Sequence, residues 1–191
     1  MANIASVAYV IEGPEEILKK IEDAINKAVN AEDDKRYEEY LACLNLGFTE
    51  EELDNKRLGG IIEEEVEIQD GVLHFWAEER WGVQDFDELL MQKFPGIKVY
   101  WIVEESGCEV YCTNDKEGKY FSDRYLVDTA QDDIYKSEYF KTEESMFKWL
   151  DKITNGRVKS KEDVEKFNSD YEDSGTDDEN FIYIHEFEIV D

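Results

Sequence analysis

The chain is poor in the residues that most often do acid–base chemistry and bind phosphate. It has only two histidines, and its 21 Lys and Arg face 49 Asp and Glu, a formal net charge of -28. A surplus of this size repels DNA, RNA and anionic lipid, all of which need cationic side chains on the protein. It favours instead a basic protein surface as partner. No run approaches the roughly 18 apolar residues of a membrane span. Met1 to Gly13 has no basic stretch followed by an apolar one, so neither a secretory nor a mitochondrial leader is expected, and the cytoplasm is the expected compartment. Three cysteines, Cys43, Cys108 and Cys112, make no disulfide framework and read as free thiols. Along one strand Cys108 and Cys112 would stand roughly 13 Å apart, too far to bridge or share a zinc, so both are expected to pack.

What is present suffices for a fold. Of the 191 residues, 41% are apolar and 13% aromatic, enough for a core in one domain with an appendage. Residues 4–12 read as a strand. Gly13-Pro14 opens a helix with Ile17, Leu18, Ile21, Ile25, Ala28 and Val29 at helical spacing. A second helix is expected over 33–46. A third, over 50–57, has a Thr49/Glu52 capping box and a Phe48/Leu53 staple. Strands at 61–69 and 72–80 flank Asp70-Gly71, a hairpin signal. Asp85 caps a helix that stops at Pro95. Residues 97–105 and 108–114 form a second hairpin, and a strand follows at 119–127. Helices begin at Thr142 and Ser160, 170–180 is an acidic loop, and 181–190 is a last strand.

This order predicts an α+β fold: a ferredoxin-like β-α-β-β-α-β antiparallel sheet with helices on one face. The core is expected over 1–127, with a helical insertion near 31–60. Residues 128–191 are expected as an acidic C-terminal extension packed on it.

Certain stretches carry a family resemblance. The opening MAN and VAYVIEGPEEILKKIEDAI, then Trp76, Arg80 and Trp81, the Phe94-Pro95 helix stop and Glu104-Glu105-Ser106-Gly107 resemble the YubB-like (also called Api92-like) family of plasmids and phages. The likeness covers roughly 1–30 and 72–127. It implies a ferredoxin-like fold and a mobile-element setting, and supplies no catalytic residues. Residues 31–60 and those after about 128 depart from it.

Catalytic motifs are wanting. His74 and His185 have no Ser, Cys or Asp at a known motif spacing, and a structural or surface role is the plainer reading of each. Neither G-x-x-x-x-G-K-[ST] nor G-x-G-x-x-G occurs. Setting Gly175 as the sixth residue of a calcium loop puts Asp170, Glu172 and Ser174 at positions one, three and five. Position twelve is then Phe181 where a bidentate Glu is needed. No cofactor, metal or catalytic residue is therefore expected. Trp76, Trp81, Trp101 and Trp149 could anchor an interface or, more ordinarily, pack.

Two acidic tracts remain. Glu63, Glu64 and Glu65 with Glu67 sit on the predicted 61–69 strand, where consecutive acids point to both faces: either one face is poorly buried or the strand is an edge guarded by charge. Residues 162–191 hold twelve acids against one Lys. Glu63, Glu64, Glu65, Glu67, Asp170, Glu172, Asp173, Asp177, Asp178 and Glu179 are therefore the candidate partner-binding residues. The expected function is a non-enzymatic, acidic protein-binding protein of a mobile element. A sharper form is a DNA mimic that blocks a host nucleic-acid-binding or defence protein (restriction or CRISPR), since -28 matches roughly 14 base pairs of phosphate. The alternative is a catalytic or small-molecule-binding domain with a pocket between sheet and helices.

Overall fold

The computed structural model describes residues 4–32, 36–80, 82–83, 85–131, 134–172 and 180–190, with the backbone only of Glu172. Two compact units emerge, residues 1–116 with 190–191, and residues 117–189. The division falls earlier than the boundary expected at 127.

The first unit contains β1 (Ile4–Glu12), α1 (Glu15–Val29), α2 (Glu38–Asn45), α3 (Glu50–Leu53), β2 (Glu67–Gln69), β3 (Val72–Arg80), α4 (Phe86–Lys93), β4 (Lys98–Glu105) and β5 (Val110–Thr113). The strands lie side by side as β2-β3-β1-β4-β5. Every neighbouring pair is antiparallel. The first four strands thus have the ferredoxin-like order, with α2 and α3 as the inserted helices. Strand β1 is central, and its Ala5, Val7, Tyr9 and Ile11 point to one face. Opposite them stand Glu79, Ala77, Phe75 and Leu73 of β3, and Val103, Trp101 and Val99 of β4. Against this face pack Leu18, Ile21, Ile25 and Ala28 of α1 and Phe86, Leu89 and Leu90 of α4, in one apolar core. The helical stripe read from the sequence is the buried side of α1. The hairpin signal is also realised: Asp70 (φ 51°) and Gly71 (φ 80°) both adopt the left-handed conformation that a tight type I′ turn demands. Thr49 and Glu52 form the reciprocal capping box.

Three local expectations fail here. The 61–69 strand shrinks to β2 at 67–69, with an isolated bridge at Ile61. Asp85 precedes α4 but makes no side-chain cap. Its carboxylate instead accepts from the Arg57 N–H at 2.9 Å. Cys108 is exposed in the β4–β5 turn, while Cys112 packs partly on the core and Cys43 is buried.

The second unit contains β6 (Tyr125–Gln131), β7 (Ile134–Phe140), α5 (Glu143–Ile153), α6 (Lys161–Glu172), β8 (Phe181–Glu186) and a two-residue β9 (Glu188–Ile189). The strand expected at 119–127 is therefore displaced to 125–131. Its sheet runs β7-β6-β8, antiparallel throughout. Val127, Phe140 and Ile182 of the sheet meet Met146 and Leu150 of α5 and Val164 and Phe167 of α6 in a separate core. Strand β7 has no sequence expectation behind it. Its first six residues are all exposed, so no alternation of apolar and polar residues marks it. Among the described residues no helix is long and apolar enough to cross a membrane.

Candidate functional site

The segment before β2 builds a groove. Ile61 N–H donates to the Glu78 carbonyl and Glu78 N–H to the Ile61 carbonyl, each at 2.9 Å. Glu67 then pairs with His74. Six residue steps on one side thus answer four on the other, and the extra chain arches off β3. Three consecutive acids explain the arch, because a regular strand would turn one carboxylate inward. Helix α1 holds the arch away from the sheet. The Asn26 side chain donates to the Val66 carbonyl at 2.9 Å and accepts from Val66 N–H at 2.7 Å. Glu22 accepts from Ile68 N–H at 3.0 Å. Asn30 donates to Glu65 at 2.6 Å.

Between arch and sheet lies a groove of about 260 Å³. Its lining includes Glu63, Glu64 and Glu65 on one side and Ser6, Trp76 and Glu78 on the other. Such a space is smaller than the roughly 300–1,000 Å³ of drug-sized clefts and suits a single long side chain. Trp76 is 67% exposed, the most exposed large apolar side chain of the described residues, and stands across from small Ala8. Because Glu78 exchanges both hydrogen bonds with Ile61, the antiparallel alternation turns the N–H and C=O of Trp76 to the same side, toward the arch. No hydrogen bond joins Trp76 to the arch among the described residues, so one rung of the ladder is open within the groove. The surface combines three exposed glutamates, an aromatic face and an unused peptide group. It can take a lysine ammonium or arginine guanidinium by charge and by cation–π contact.

Of the candidate partner-binding residues, the structure gathers Glu63, Glu64 and Glu65 in this groove. Glu67 is exposed on β2 nearby. Asp170 is exposed on α6, in the other unit. Helix α6 runs to Glu172, so Asp170 and Glu172 belong to a helix and not to the start of a loop, which removes positions one and three of the calcium-loop reading. Asp173, Asp177, Asp178 and Glu179 lie outside the described residues, as does Trp81. Trp101 is buried and Trp149 half-buried, leaving Trp76 as the exception to ordinary packing.

Between sheet and helices, where a catalytic pocket was the alternative, the buried apolar side chains pack as one core, and among them sits a carboxyl cluster invisible in the sequence. Glu39 of α2 is wholly buried. One of its oxygens accepts from Gly60 N–H at 2.9 Å. The other has no fixed donor and faces the carboxyl group of Glu79, which also accepts from the Tyr9 hydroxyl. Burial first, and the Glu79 charge second, hold the Glu39 carboxyl well above the usual carboxylate range, which favours its protonated form beside Glu79. Burial likewise raises Asp87, which accepts from the Trp101 indole N–H at 2.9 Å. Burial also pushes the Cys43 thiol up to about 12, far from a reactive thiolate.

Sequence separation hid a second constellation. Cross-strand pairing places Ser137, Asp128 and Tyr183 in one row, with His185 one row away on the same face of β6-β7-β8. Ser137 donates to Asp128, and the His185 Nε2 lies 3.3 Å from the other Asp128 oxygen. The residue types are those of a hydrolytic triad, but the wiring differs. The carboxylate sits between serine and imidazole, whereas in a hydrolytic triad the imidazole stands between serine and carboxylate. Among the described residues no group of three or more His, Cys, Asp or Glu converges to hold a metal. No family model, curated protein or solved structure matches the chain.

Proposed function

We propose that the protein is a non-enzymatic binding protein whose groove beside β3 receives a lysine or arginine from a basic segment of another protein. The observation that carries this reading is Trp76, held in the open beside Glu63, Glu64, Glu65 and Glu78. A large aromatic exposed at that level, rimmed by polar groups, is typical of an interface anchor. The molecule's charge extends the reading. With -28 on 191 residues, the surface attracts proteins that ordinarily hold nucleic acid, and its sharper form is a DNA mimic acting against a host restriction or CRISPR component. The YubB-like resemblance supplies the mobile-element setting in which such an inhibitor is useful.

A fluorescein-labelled peptide rich in lysine and arginine tests the groove. Anisotropy titration should give saturable binding that weakens as salt is added. Trp76→Ala and the triple Glu63→Gln/Glu64→Gln/Glu65→Gln change should each weaken it about tenfold or more, a loss of roughly 1.4 kcal/mol. Equal affinity of both variants and the native chain would remove the groove from the reading. Displacement of duplex DNA from a purified restriction endonuclease tests the mimic separately.

A further inference from the structure

We propose that the segment received by the groove carries a glutamine beside its basic residue, and that the glutamine carboxamide closes the open Trp76 rung. The inference rests on the groove reading above and names the second half of its partner. Elsewhere in this chain, peptide groups without a neighbouring strand are met by asparagine. Asn114 accepts from the Trp101 N–H at 2.8 Å and donates to the Val99 carbonyl at 2.9 Å, just short of the point where β5 begins to pair with β4, Ile102 with Thr113. On β8 the Asn168 side chain of α6 donates to the Ile182 carbonyl and accepts from the Ile182 N–H, both at 2.9 Å. Asn26 meets the N–H and carbonyl of Val66 on the arch in the same way. In each case one planar amide answers one N–H and one C=O, because a carboxamide holds donor and acceptor side by side.

Trp76 offers the same pair of groups to the groove, and none of the residues lining it has a side-chain amide. The arch is tied to β3 on both sides of this rung, at Ile61–Glu78 and at Glu67–His74, which leaves no passage for a whole strand. A side chain can enter. Lys and Arg carry donors only and would leave the Trp76 N–H unmet. Asp and Glu carry acceptors only, and Glu63, Glu64 and Glu65 repel them. Glutamine has both groups, no charge to desolvate, and a stem longer than that of asparagine for reaching past the glutamate rim. In an extended segment the residue two places away points to the same side, about 7 Å along the chain. A lysine or arginine there lies against the Trp76 ring and the glutamates, while the glutamine takes the rung.

Fluorescein-labelled peptides Lys-Ala-Lys-Ala-X-Ala-Lys-Ala-Lys, with X either Gln or Met, test this on the native chain. The two have equal charge and similar length at X and differ in the amide. Anisotropy titration should show the Gln peptide binding about tenfold more tightly, the worth of two hydrogen bonds. Amide exchange followed by heteronuclear NMR should slow at the Trp76 N–H at least about tenfold with saturating Gln peptide, and not with Met peptide. Equal affinities would overturn the glutamine, and the groove reading would still stand if both peptides lose affinity in the Trp76→Ala chain. Tighter binding of the Gln peptide without slowed exchange at Trp76 would also overturn it, because the amide would then be held elsewhere. If neither peptide binds, the groove reading fails and this inference fails with it.

Discussion

At the residue scale, the molecule is most constrained at Glu39. A Cβ on Gly60 would lie 2.2 Å from the Glu39 carboxyl carbon, and that carboxyl is sealed in the core. Gly60→Ala should therefore cost about 1–3 kcal/mol as overpacking, read by urea denaturation. The raised Glu39 carboxyl also gives stability a pH dependence. Glu39 holds its proton more tightly in the folded chain than in the unfolded one. Its contribution is therefore full at acidic pH, and falls as pH rises from the ordinary carboxyl range through the raised value. Glu39→Gln keeps an acceptor for Gly60 and offers Glu79 a permanent donor. It should stabilise the fold by about 1–2 kcal/mol at neutral pH, with the advantage over the native chain shrinking toward pH 4. Thermal melts of both proteins across pH check this, and an advantage that does not change with pH would refute the upward shift of Glu39.

Elements were legible in the sequence to the extent that their signals are local. The α1 stripe, the Asp70-Gly71 turn, the Thr49 capping box and the β-α-β-β-α-β order need only neighbours a few residues apart. The arch at 62–66 was misread as strand because its stability comes from Asn26 and Glu22, some forty residues earlier. Glu39 with Glu79, and Asp128 with Ser137 and His185, escaped for the same reason: strand and helix packing unite them, and spacing carries no trace of it. Strand β7 escaped because a strand exposed on both faces has no alternation to detect. Asn26→Ala removes both bonds to Val66. It should expose the Val66 amide to hydrogen exchange, destabilise by about 1–2 kcal/mol, and blunt binding at Trp76 by loosening the groove wall. Unchanged protection at Val66 would show that Asn26 does not hold the arch.

At the scale of the whole molecule, charge dominates. The ion pairs of the described residues are mainly exposed contacts such as Arg36–Glu50 and Lys161–Glu186, each worth little. They leave a large surplus of carboxylate in self-repulsion. Sodium chloride should therefore raise the melting temperature of the dilute protein, steeply at first and less as the screening length falls below the spacing of the charges. A melting temperature that falls with salt would mean that the paired charges outweigh the repelling ones.

The Asn168 grip on Ile182 also guards the outer side of β8. A strand whose outward peptide groups all face water can recruit a segment from another molecule. Here the Ile182 N–H and C=O are already satisfied by an asparagine of the same chain. A segment arriving there meets an occupied rung and must first displace that side chain, so the helix acts as a local doorstop against unwanted strand addition.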